Sequence, residues 1–208
     1  MRRASIKTPL LRASGLVIAC ANIRENALVD RVIPLDVAVG DADRADLRIQ
    51  VEGDDFAETG TANILADARC GTKFHAGDFR MSGQVKMAIV ARTLDSLVAE
   101  GAIAADIGLI KIDADGYDFK VLKGASKLLT TARPIIFSEM SAYCLGWHGE
   151  TIADVIAFAR EHRYRVWAKE PRRFRFSDRF DPETFEMEAL LVPDERRGDY
   201  EAWLAAPR

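Results

Sequence analysis

Lys111, Asp113 and Asp115 alternate at the end of a short apolar run, inside the stretch LIKIDADGYDFKVLKGASKLL from Leu109 to Leu129. Carboxylates in such a place can accept a proton from a reacting hydroxyl or hold a ligand's donors, and a neighbouring ammonium can pair with them or with a substrate anion. Alternation along a strand puts Lys111 on the same face as Asp113. Glu139 closes a second apolar run, PIIFSE, and Asp41 follows a third, Val32 to Val39. Each has a plainer role open to it: helix capping for Asp113 and Asp115, a structural ion pair for Lys111, a turn for Asp41, a solvated strand end for Glu139.

The elements that must position these groups follow from periodicity. Leu109, Ile110 and Ile112 read as a buried strand of the parallel kind, punctuated by Asp113, Asp115 and Gly116. Val121, Leu122, Ala125, Leu128 and Leu129 then recur at helical spacing, with Asp115 and Asp118 near the helix start and Lys123 and Lys127 further along, as the helix dipole favours. Upstream, the pattern predicts a helix over Leu16 to Ala27 and a strand over Val32 to Val39. Alternating residues at Leu47 to Val51 and Val85 to Ile89 predict two strands around a segment rich in Gly, Asp and Ala, about Glu52 to Gln84, which reads as a mobile flap. Thr93 to Glu100 predicts a short helix stopped by Gly101, and Ile135 to Glu139 a strand. Thr151 and Asp154 have capping-box spacing before a helix that runs to about His162. Tyr164 to Trp167 and Ala189 to Val192 read as an antiparallel pair at one sheet edge, joined by RRFRFSDRFDPETF, before a short helix around Trp203. Strands alternating with helices predict an α/β fold, a mostly parallel sheet with helices on both faces. In open sheets of this kind ligands bind in the crevice beyond the carboxyl ends of the strands.

A chain of 208 residues, 49% hydrophobic and 29% charged, is sized for one domain spanning 1–208. A net charge of -3 gives no basic field that would draw in nucleic acid or anionic lipid, so neither is expected as a partner. Cys20, Cys70 and Cys144 are odd in number and widely spaced, which argues against a disulfide framework and a zinc site and for a reducing cytoplasm. Arg2, Arg3 and Lys7 precede an apolar patch at Leu16 to Ala21, but the patch is short and Asn22, Arg24 and Glu25 follow at once, so it is read as a buried helix face rather than a targeting segment. No run reaches membrane-spanning length. His75, His148 and His162 lack the spacing of a helical metal pair, and no metal is expected. No nucleophile elbow surrounds Ser14, Ser138 or Ser141. Arg172, Arg173 and Arg175 interleave with Phe174 and Phe176, a pattern able to stack on single-stranded nucleic acid but read here as a hairpin with one charged and one apolar face.

Three blocks, TLDSL at Thr93 to Leu97, IGLIKIDADGYDFKVLKGASKLL and RPIIFSEM, resemble the FkbM-type family of S-adenosylmethionine-dependent methyltransferases in wording, order and spacing. CANIRENALVDRVIPLDVAVGD is similar to the segment leading into that family's third strand, and HRYRVWAKEPRRF and MEALLVP resemble its closing hairpin, so the likeness covers about 20–193. The resemblance implies a class I methyltransferase fold, Rossmann-like with an antiparallel C-terminal edge hairpin, and S-adenosylmethionine as cofactor. It also implies methylation of a hydroxyl on a small molecule or glycan, a reaction in which positioning supplies most of the catalysis. Carried onto this chain, it implies that Asp113 faces the cofactor or the incoming hydroxyl, with Asp115 standing where the family has Glu as the second catalytic candidate. Asp41 becomes a cofactor contact near the adenine, and Lys111 and Glu139 become substrate contacts.

One departure stands out. Family members open with a strand, a glycine-rich turn and a second strand ending in an acidic residue, whereas Gly15 is the only glycine here before Gly40. The expectation is a member lacking the N-terminal part of the domain, its Leu109 strand left with an unpaired edge. Two readings follow: a methyltransferase, or a non-catalytic remnant or interaction module that binds no cofactor.

Overall fold

The computed structural model describes residues 12–52, 62–64, 84–114, 116–169, 176–181, 186–198 and 201–202. In chain order these form α1 (Arg12–Glu25), β1 (Ala38–Val39), β2 (Arg44–Glu52), β3 (Ala62–Ile64), β4 (Gln84–Arg92), α2 (Leu94–Ala99), β5 (Leu109–Ile112), α3 (Asp118–Lys123), α4 (Ser126–Thr131), β6 (Ile135–Ser141), α5 (Ala142–Gly146), α6 (Ile152–Glu161), β7 (Tyr164–Lys169), β8 (Phe176–Ser177) and β9 (Glu186–Pro193), with a 3-10 turn at Asp194–Arg196. The chain is a mixed α/β protein.

Two sheets result, ordered β1-β4-β2-β3 and β5-β6-β9-β7-β8. In the second, β5 and β6 run parallel, with Ile110 beside Ile136, while β9 runs antiparallel to both β6 and β7. Strands β5, β6 and β7 therefore share a direction and β9 is reversed between two of them. The expected antiparallel pair exists, but β9 is internal and the edge belongs to β8. Register across non-adjacent strands is a property of the whole sheet that local periodicity does not encode.

Alternation sorts the side chains of this sheet. Ile112, Ile136, Met140, Ala189, Leu191 and Val166 face one way and merge with Phe119, Leu122, Leu128, Leu129 and Val155 into the main core. Helices α3, α4 and α6 thus cover that face. Phe137, Leu190, Trp167 and Phe176 form a smaller cluster on the other. Among the described residues no strand pairs with the free edge of β5, and Leu109 is 64% exposed.

Two expected elements take another form. The predicted strand over Val32 to Val39 shrinks to Ala38–Val39, and Val32, Ile33 and Leu35 are exposed. Pro34 has no N–H to give a ladder, and among the described residues this stretch pairs only with Ala91 and Arg92. The predicted helix over Val121 to Leu129 is two helices, α3 and α4, parted at Gly124 and Ala125. At Gly124 the chain lies so close to Gly40 that a Cβ would run into the Gly40 carbonyl, and the Gly124 oxygen accepts from the Asp95 N–H at 3.0 Å. The Asp95 carboxylate then caps α4 from another element, accepting from the N–H groups of Lys127 and Leu128 at 2.8 Å each.

The apolar patch at Leu16 to Ala21 is not the buried helix face expected, since Val17 and Ile18 are exposed, and β5 is fully buried only at Ile112. The following expectations hold. β2 and β4 pair directly, Ile49 beside Met87, and α2 begins at the Thr93 cap and ends at Gly101 with φ +70°. Thr151 and Asp154 form the full capping box of α6. Most of the Glu52 to Gln84 segment, Arg172 to Arg175 and the helix expected at Trp203 lie outside the described residues.

Candidate active site

Three chain segments leave strand ends and meet: the turn after β1, the turn after β5, and α5 with its following loop after β6. The second is built around Gly116, whose φ of +93° is a backbone conformation that L side chains rarely adopt and whose missing Cβ leaves room for Cys144. Asp118, at the first position of α3, is 2% exposed; its carboxylate accepts from the Ser138 hydroxyl at 3.0 Å and the Gly116 N–H at 3.2 Å. Burial pushes this carboxyl above the ordinary range, and the Ser138 and Gly116 hydrogen bonds pull it partly back. Asp118 thus fastens the β5 turn to the middle of β6.

The expected site residues fall into two groups. Lys111 and Asp113 form an exposed ion pair, and the hydrogen bond to Asp113 holds the Lys111 ammonium above its usual pKa. Glu139 joins this group from β6. Its carboxyl is raised, first by a hydrogen bond with Glu186, then by burial and by the charge of Asp113. Glu188, beside Glu139 in register, pairs with Lys169. Asp41 belongs to a different group. It pairs with Arg44 at 3.4 Å and with Lys120 at 3.6 Å, and Lys120 reaches on to Glu150 at 3.1 Å. Asp115 lies outside the described residues.

Sequence reasoning missed the rest of the second group. Glu150 is 8% exposed; its Oε1 takes Lys123 at 2.5 Å as well as Lys120, while its Oε2 is buried and accepts no hydrogen bond among the described residues. Tyr117 is buried, meets His148 edge-on with ring centroids 5.3 Å apart, and has its phenol raised by burial and by Asp41. Burial lowers the His148 imidazole, against the pull of Glu150. A lone histidine and a glutamate before a capping box carry no local signal of this meeting. No group of described residues is suited to hold a metal ion.

The family model described as the methyltransferase FkbM domain matches residues 6–166. The chain belongs to the FkbM methyltransferase family. Comparison with curated proteins and with solved structures found no match to either. The match takes in every residue of both groups except those contributed by β9 and by Lys169, and it places the FkbM domain over β1 to β6 and onward into β7. No described helix is long and apolar enough to cross a membrane.

Proposed function

We propose that this FkbM domain is an S-adenosylmethionine-dependent methyltransferase of class I architecture acting on a hydroxyl of a small metabolite or glycan. The observation that carries the reading is the family match over residues 6–166, joined to acidic side chains just beyond β1 and β5 and near the carboxyl end of β6, where open α/β sheets take their ligands. The reversed β9 between β6 and β7 supports the class I assignment. On this reading Asp41 contacts the cofactor, Asp113 faces cofactor or acceptor with Asp115 the second catalytic candidate, and Lys111 and Glu139 contact the acceptor. An odd number of widely spaced cysteines, Cys20, Cys70 and Cys144, supports a reducing compartment such as the cytoplasm.

The described residues do not accommodate the donor as they stand. Gly116 packs on Cys144, and Tyr117 lies against Gly40 in the space between the β1 and β5 turns. No chemical step is therefore assigned to particular atoms. Calorimetric titration with S-adenosylhomocysteine tests the reading: saturable binding supports it, and no heat from a folded sample refutes it.

A further inference from the structure

One aromatic ring fills the space beside the half-buried polar group around Asp41. Tyr117 is 5% exposed, and a Cβ on Gly40 would come within 2.9 Å of its Cε1 and 3.3 Å of its hydroxyl. His148 closes the other side at 5.3 Å. Around the ring stand Asp41, Arg44, Lys120 and Glu150, and one buried acceptor there is left unused. The Glu150 Oε2 is buried and accepts no hydrogen bond from any described residue. Leaving a buried carboxylate oxygen unpaired costs about 1–3 kcal/mol, so stability alone does not favour keeping it. Tyr117 precedes α3 without a side-chain cap bond and follows a glycine in the left-handed region, so its ring is placed by packing on Gly40 and His148.

We propose that Tyr117 is a plug: its ring must leave Gly40 before the nucleoside part of a methyl donor can enter, and its departure opens the space beside Asp41, Lys120 and Glu150, which form the polar wall. This rests on the methyltransferase reading. The closed arrangement lowers apparent affinity by the fraction of molecules that are open, so removing the plug tightens binding without adding a contact.

Two variants open the seal by independent means. Tyr117→Ala removes the ring, and Gly40→Ala pushes it away with a methyl group; Tyr117→Phe keeps the ring and serves as control. Each is read by proton NMR titration of His148, assigned by its loss in His148→Gln, and by calorimetry with S-adenosylhomocysteine. His148 faces Glu150, Lys120, Asp41 and Lys123, and burial is the main reason it titrates below 6.5. The expected result is a His148 midpoint that rises toward 6.5 in the two opened variants and stays low in Tyr117→Phe, with affinity for the nucleoside at least about tenfold tighter in the opened forms. A folded Tyr117→Ala with an unmoved His148 midpoint, or with wild-type affinity, overturns the plug. A risen midpoint with no binding by any form keeps the seal and overturns the methyl-donor reading instead.

Discussion

Asp118→Ala and Asp118→Asn separate what the buried carboxylate does as a hydrogen-bond acceptor from what it costs as a charge. In Asp118→Ala, the Ser138 hydroxyl, which is 0% exposed, and the Gly116 N–H both lose their acceptor. Each stranded donor costs about 1–3 kcal/mol, so the loss is roughly 2–5 kcal/mol of folding stability. Asn keeps an oxygen for the Gly116 N–H and turns its amide to Ser138, whose hydroxyl can accept, so Asp118→Asn stays within about 1 kcal/mol of wild type or gains. The sign of the pH dependence follows from the raised carboxyl. The folded state binds the proton more tightly than the unfolded chain, so wild-type stability from this group is fully present below the ordinary value of 3.8 and is lost as pH rises through the folded value. Relative to Asp118→Asn, wild type therefore does worse at pH 7 than at pH 4. Urea unfolding at both pH values is the assay. An alanine variant that loses less than about 1 kcal/mol, or an asparagine variant as unstable as alanine, would refute the pinning of the β5 turn to β6.

Other outcomes follow from the same structure. Arg133 donates to the carbonyls of Leu129, His162 and Arg163 and to both oxygens of Glu195 while lying over the Tyr164 ring, so Arg133→Ala costs about 2–4 kcal/mol in chemical denaturation. Arg133 also lowers Glu195 to about 2; this exposed pair stabilises above the usual carboxylate range near 4.5 and fades as pH falls toward 2, so the stability gap between wild type and Arg133→Ala narrows on acidification. Gly124→Ala drives a methyl group into the Gly40 carbonyl and lowers the melting temperature sharply, whereas Gly146→Ala, with nothing within 4 Å of the new Cβ, leaves it unchanged or raises it. Thr151→Ala removes one half of the α6 capping box and costs about 1 kcal/mol, measured by thermal unfolding.

Elements whose signals are local were legible in the sequence. The Thr151 and Asp154 box, the Thr93 cap and the Gly101 stop are set by residues within a turn of one another, and β5 follows from its apolar run. What escaped depends on distant partners. The break at Gly124 exists because β1 brings Gly40 against it, and the helical periodicity of Val121 to Leu129 runs straight through that break. β9 could be recognised as a strand, but its place between β6 and β7 is decided by the sheet. Among the candidate residues, the pairing of Lys111 with Asp113 followed from alternation, and Glu139 lies on the parallel strand beside them, two residues before its end. Asp118 looked like an ordinary acid at a helix start; only Ser138, twenty residues on, shows that it is buried. Tyr117, His148 and Glu150 come from three segments, and nothing in their spacing announces the cluster.

The central claim is that a methyl donor binds where the β1, β5 and β6 ends meet. The most direct measurement is the amide NMR spectrum of nitrogen-15-labelled protein titrated with S-adenosylhomocysteine. The account predicts that Gly40, Asp41, Gly116, Tyr117 and His148 move with saturation. At the opposite end of the sheet lies a cavity of about 460 Å³ lined by Ile156, Arg160, Tyr164, Val166 and Phe180. Shifts confined to that cavity, or none at all from a folded sample, would contradict the claim.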